Sequence, residues 1–201
     1  MRILLSVLLT ATGAGWLILE LSLIWRDRVR DKGSTDEDRG TRALNFGLIL
    51  AAVLAADVLT GVISPHSPAR IPGTYPGTGP GGWPALAGLV VSWLGLAVRV
   101  WAVVTLGRSF RTTVEVDAGQ AVVSRGPYRW VRHPSYTGLL LVAAGFGLAE
   151  GTWPGLAICL LLPAVAMLRR IHVEETALTQ VIGDAYRDYQ NRTKRLIPGL
   201  W

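Results

Sequence analysis

The chain has 201 residues, 50% of them hydrophobic and 17% charged, with mean hydropathy +0.37 and a formal net charge of +6. Soluble domains carry about 25% charged residues, so disorder, a collagen-like chain and a long soluble multidomain enzyme are excluded. The pI near 10.1 invites a nucleic-acid partner, but a chain this apolar does not belong to that class.

The first long apolar run covers residues 3–24 and is broken only by Glu20. At ~1.5 Å per residue it can cross a hydrocarbon core about 30 Å thick. Its length, and the lack of a small-x-small site before the charged segment that follows, argue against a cleaved signal peptide. Residues 43–63, holding Asp57, and 84–106, holding Arg99, form a second and a third span. Residues 134–149 and 152–168 are two shorter runs parted by Glu150 and Gly151, with Trp153 and Pro154 opening the return helix. The expected fold class is an all-α membrane protein with five transmembrane helices, the last two a helical hairpin.

The connections alternate in charge. Residues 26–42 hold six Lys or Arg, 64–83 only Arg70, 107–133 five Arg, the fourth connection none, and the tail from Arg169 six. This is the positive-inside pattern, with the N-terminus outside and the C-terminus cytoplasmic. The 26–42 segment interleaves its six bases with five acids and reads as a solvated connector. The proline- and glycine-rich 64–83 segment reads as an irregular outer loop. Its glycines follow no strand and precede no Lys-Ser/Thr, so they are not a phosphate loop.

Glu20, Asp57 and Arg99 are costly inside a bilayer, by about 2.5–3.5 kcal/mol each at a helix centre. Glu20 and Arg99 both fall in the cytoplasmic half and can pair, unless Arg99 snorkels to the headgroups. Asp57 lies toward the outer side, with no evident partner.

Two constellations carry candidate chemistry. Tyr128, Arg132, His133 and Tyr136 gather at the entry to the fourth span, where Pro134 suits a first helical turn. Such a set can bind a polar, partly charged group, or can serve only as interfacial anchors and positive-inside arginines. The second is Arg169-Arg170-Ile171-His172-Val173-Glu174-Glu175, continuing the fifth span. Arg170 and Glu174 share a helical face, either as a surface ion pair or as an anion holder beside a carboxylate able to receive an ammonium or ribose hydroxyls. His172 and Glu175 point elsewhere; Gly183 ends the helix, and 184–193 reads as a short amphipathic segment with Tyr186 and Tyr189 on one side. Three scattered histidines and the lone Cys159 offer no spaced metal-ligand set. No nucleophile elbow is present, and no G-x-G-x-x-G follows a strand; Gly145-Phe146-Gly147 reads as helix packing.

Residues 126–138 (Gly-Pro-Tyr-Arg-Trp-Val-Arg-His-Pro-Ser-Tyr-Thr-Gly), Glu174-Glu175-x-x-Leu178, Tyr186-x-x-Tyr189 and Arg195-Leu196-Ile197-Pro198 resemble the isoprenylcysteine carboxyl methyltransferase family, related to the membrane phospholipid methyltransferases. The resemblance covers roughly residues 100–201. It implies an integral membrane methyltransferase that uses S-adenosyl-L-methionine and acts on a lipophilic small-molecule or lipidated acceptor. On it, 1–106 supplies three helices, and 107–201 a cofactor-binding region closed by the last two spans and their cytoplasmic extensions. It implies cofactor contacts at Gln120, Ala121, Val122, Val123, Tyr128, His133, Pro134, Ser135, Tyr136 and Glu174, and a substrate contact at Arg170. Many relatives carry His at position 120, so the Gln120 contact is the least secure. Arg170 aligning the acceptor's anion and Glu174 holding the cofactor are the expected catalytic pair. A sterol-type membrane reductase using NADPH and a non-catalytic membrane protein are the alternatives. The Arg-, Ala- and Gly-rich composition reads as bacterial, which leaves the methyl acceptor open.

Overall fold

Every regular element is helical among the residues that the computed structural model describes, 2–30, 36–74, 81–107 and 122–200. These are α1 (Arg2–Arg30), α2 (Asp36–Val62), α3 (Gly82–Leu106), α4 (Pro134–Ala149), α5 (Trp153–Ile182) and α6 (Asp184–Arg192), with a 3₁₀ turn at Gly126–Arg129. α1, α3 and α5 include stretches long and apolar enough to cross a membrane, and shorter apolar stretches occupy Gly47–Val62 of α2 and all of α4. The bundle is inverted relative to a soluble one: Val58, Leu86, Val90, Leu94, Val104, Leu161 and Val165 face outward, whereas Thr12, Glu20, Ser92, Arg99 and Ser135 are buried. Apolar surface of this extent is unfavourable in water and neutral in lipid. The chain is a multi-pass membrane protein.

The expected connector at 26–42 is shorter than its composition suggests, because α1 continues to Arg30 and α2 begins at Asp36. Helices satisfy their own backbone groups, and Arg is a good helix former, so neither needs to stop at the end of an apolar run. In the same way α5 continues past Leu168 to Ile182 and carries the second constellation out of the bundle.

α4 sits at the centre, packed between α3 and α5, with α2 also in contact. Glycines allow that approach. Gly88 and Gly95 on α3 meet Gly145 and Gly138 on α4: a Cβ on Gly95 would stand 2.6 Å from the Gly138 carbonyl oxygen. A Cβ on Gly147, two residues past Gly145, would instead stand 2.7 Å from Cβ of Cys159 on α5. The Gly145-Phe146-Gly147 segment therefore serves two interfaces at once. Gly95→Ala is expected to cost about 1–3 kcal/mol by forcing the two backbones apart. Gly15, where a Cβ would meet no neighbour within 4 Å, is the control: Gly15→Ala should hold or raise the melting temperature in detergent.

At the opposite end from the sequence motifs, Arg70 caps α2. Its Nη2 donates to the carbonyls of Thr60 (3.2 Å) and Ile63 (3.0 Å), and its Nε to that of Ser64 (3.2 Å). These groups close off a helix end that would otherwise leave carbonyls unmatched. The loop is stitched to the α4–α5 turn by Ile71 N–H donating to Gly151 O and Trp153 N–H to Ala69 O, each at 2.9 Å. Residues 75–80 of the expected irregular loop lie outside the described residues.

Candidate functional site

The site is assembled where α4 begins. Gly126, at φ 58°, turns the chain into the 3₁₀ segment, and the peptide 130–133 then leads to Pro134 in the first turn of α4. Three residues into α4, the Tyr136 hydroxyl meets α5. It accepts a hydrogen bond from Arg170 Nε at 2.8 Å and donates to Glu174 Oε2 at 2.9 Å. A carboxylate only accepts and a guanidinium only donates, so the phenol is held in one orientation between them. Arg170 is buried and Glu174 half-buried, and Glu174 Oε1 accepts no hydrogen bond among the described residues. The neighbouring Tyr128 phenol is pushed above its ordinary range by burial and then by the Glu174 charge, so it stays a donor.

Glu175 is turned about 100° from Glu174 around the helix and has a separate set of partners. Its Oε1 accepts from Arg132 Nε at 2.8 Å and from His133 Nε2 at 3.2 Å, and its Oε2 from Arg195 Nε at 3.1 Å. Burial alone would raise this carboxyl, but the hydrogen bonds and charges of His133 and Arg132 outweigh it and hold it at about 2. Arg132 also donates through Nη1 to the carbonyls of Gln190 and Thr193. The backbone repeats this connection: Arg132 N–H donates to Lys194 O at 2.7 Å, His133 N–H to Arg195 O at 3.0 Å, and Lys194 N–H to Trp130 O at 3.1 Å. Thr137 Oγ1 donates to Leu196 O at 2.8 Å, and Tyr189 OH to Tyr128 O at 2.7 Å. The tail is thereby bound to the segment that launches α4.

Inside the bundle, Glu20 of α1 and Arg99 of α3 form a buried ion pair, with Arg99 Nη2 donating to Glu20 Oε2 at 2.6 Å and Nε to Oε1. The expected pairing holds, and Arg99 does not extend to the headgroups. Arg99 Nη1 donates to Ser135 Oγ at the start of α4.

Residues 87–180 match the isoprenylcysteine carboxyl methyltransferase (ICMT) family. That segment, just under half of the chain, is similar to the family. It is 33% identical over 124 residues to the protein-S-isoprenylcysteine O-methyltransferase of Tribolium castaneum, covering 58% of this chain and 42% of that protein. It is 31% identical over 96 residues to the uncharacterized protein YpbQ of Bacillus subtilis, covering 44% and 57%. The chain thus spans about half the length of the curated relatives it matches. A solved structure of the eukaryotic intramembrane Ras methyltransferase of the family aligns with TM-score 0.55 at 23% identity, covering 84% of this chain and 55% of that one. The two share a fold.

Of the positions that the ICMT resemblance singles out, Arg170, Tyr136 and Glu174 come together directly, with Tyr128 near enough to feel the Glu174 charge. His133 is adjacent but bonded to Glu175, Pro134 supplies the first helical turn, and the Ser135 hydroxyl is taken by Arg99. Val122 and Val123 are half-buried ahead of the 3₁₀ turn, while Gln120 and Ala121 lie outside the described residues. Glu175 and Arg195 are the residues that sequence reasoning missed. Their signal was present in the ICMT-like Glu174-Glu175 pair and the Arg195-Leu196-Ile197-Pro198 segment, read there as motif and not as mutual contact.

Proposed function

We propose that the chain is an S-adenosyl-L-methionine-dependent methyltransferase of the membrane, acting on a lipophilic or lipidated acceptor that bears an anion. The observation that carries this reading is the Arg170–Tyr136–Glu174 relay: one hydroxyl joins a cation suited to an acceptor's anion and a carboxylate suited to a donor's cation. The donor set fits the cofactor: Glu174 Oε1 can receive an ammonium or ribose hydroxyl, and the protonated Tyr128 phenol offers a donor beside it. In this reading the cofactor is held by Tyr128, His133, Pro134, Ser135, Tyr136 and Glu174, with Val122 and Val123 as further contacts.

When bound, the cofactor would supply an electrophilic methyl group, held by Glu174 and Tyr128 toward an acceptor carboxylate oriented by Arg170. The protein's task is alignment, since a carboxylate nucleophile needs no base and correct orientation supplies much of the rate. Arg170 binds and orients the acceptor's anion, and Glu174 orients the donor. Their place where α5 leaves its apolar stretch suits reactants arriving from lipid and from water.

The accompanying topology has five spans, the last two a hairpin, with 1–106 as a three-helix N-terminal part and 107–201 as the cofactor-binding region. The charge alternation supports an outside N-terminus and a cytoplasmic C-terminus, with no role for nucleic acid. The test is incubation of the purified protein in detergent with isotopically labelled methyl donor and a panel of lipophilic carboxylates, thiols and amines. Label transfer to an acceptor, with thermal stabilisation by S-adenosylhomocysteine, is the expected result. Stabilisation by NADPH instead would overturn the reading in favour of a reductase.

A further inference from the structure

The Glu20–Arg99 pair uses more of its geometry than anchoring requires. Both side chains are buried within the bundle, at 6% and 4% exposure. Arg99 directs Nε and Nη2 to the two carboxylate oxygens of Glu20, and its third nitrogen, Nη1, to Ser135 Oγ and, at 3.5 Å, to the Ser135 carbonyl oxygen. The planar fork thus fixes three directions at once. Ser135 stands between Pro134, whose ring restricts the backbone, and Tyr136, whose hydroxyl joins Arg170 to Glu174.

We propose, resting on the methyl-transfer reading above, that Glu20 and Arg99 are positioning residues: together they set the first turn of α4 and so place the Tyr136 hydroxyl. Stability alone does not account for them, because desolvating two charges offsets most of their attraction and apolar side chains of similar volume serve a core as well. An apolar pair, however, gives Ser135 no directional partner. Glu20 also lies outside the family-matched segment 87–180, so α1 gains a role at the site that no motif in it suggested.

The deciding variant is the double substitution Glu20→Met with Arg99→Met, which removes both charges together. Its melting temperature is expected to stay near that of the wild type. Its kcat is expected to fall about tenfold with KM for donor and acceptor changed less than about twofold, the pattern of lost alignment. Amide hydrogen exchange over residues 134–138 should accelerate, a readout that needs no catalysis. Should the double variant fail to fold, Arg99→Lys takes its place. It keeps a charge for Glu20 but loses the fork, and the same acceleration and kcat loss are expected. Wild-type exchange and wild-type kcat in a folded variant would overturn the proposal. If the unaltered protein transfers no methyl group, the functional reading fails, and the exchange measurement alone decides the positioning role.

Discussion

Replacing Glu175 by alanine is expected to destabilise the protein by about 3–5 kcal/mol and to loosen the C-terminal tail at the start of α4. Glu175 is the shared acceptor for Arg132, His133 and Arg195, and Arg132 is itself nearly buried. Without the carboxylate, Arg132 keeps only carbonyl partners at Gln190 and Thr193, which do not neutralise its charge. The loss differs from that at the adjacent carboxylate: Glu174→Ala removes one hydrogen bond to Tyr136, at a cost of about 1 kcal/mol. Thermal unfolding in detergent measures both, and limited proteolysis reports the tail. Equal melting temperatures for the two variants would sink the assignment of Glu175 as the hub.

The same carboxylate gives stability a pH dependence of definite sign. Its folded value of about 2 lies below the ordinary 4.5, so its contribution is complete above about 4.5 and is lost as pH falls toward 2. The difference corresponds to about 3 kcal/mol at 1.36 kcal/mol per unit, in line with the cost expected of the alanine variant. In Glu175→Gln this acid-side loss should disappear, as thermal unfolding between pH 5 and pH 3 would show.

The helices were legible because apolar run length is a direct record of what lipid demands, and the 84–106 and 134–149 runs coincide closely with α3 and α4. Glu20 and Arg99 were legible as a pair for the same reason: each is expensive alone in a bilayer, and both fall in the same half of it. Their third partner was not, since the Ser135 contact is set by how closely α3 approaches α4 at Gly95 and Gly138. Arg170 and Glu174 announced a common face by four-residue spacing, but the hydroxyl between them comes from another helix, 34 residues away in sequence from Arg170. The tail's attachment to 130–133 is mostly backbone hydrogen bonding, which any side chains could accompany and which therefore leaves no pattern. That Glu175 points away from Glu174 was legible from helical spacing, but its partners Arg132, His133 and Arg195, all distant in sequence, were not.

Arg170→Ala is expected to lower kcat/KM for the methyl acceptor by about 10²–10³-fold, the scale seen when a charged or hydrogen-bonding group that stabilises the reacting centre is removed. The reason is geometric: Arg170 is the cation held on the same hydroxyl as Glu174, so it both neutralises the acceptor's anion and sets its distance from the donor. Arg170→Lys should recover only part of the loss, because an ammonium keeps the charge but cannot reproduce the planar fork. The two sides of the relay should separate in kinetics. Arg170→Ala raises the acceptor's KM and lowers kcat while S-adenosylhomocysteine affinity stays within about twofold, whereas Glu174→Ala weakens that affinity about tenfold. Tyr136→Phe removes the shared hydroxyl, leaving Arg170 Nε without this acceptor and Glu174 Oε2 without this donor, so it should impair both parameters together. Isothermal titration for the donor analogue and initial rates for the acceptor measure the split. Loss of the same parameter in Arg170→Ala and Glu174→Ala would mean that the two residues do not divide donor from acceptor, and the assignment of their roles would fall.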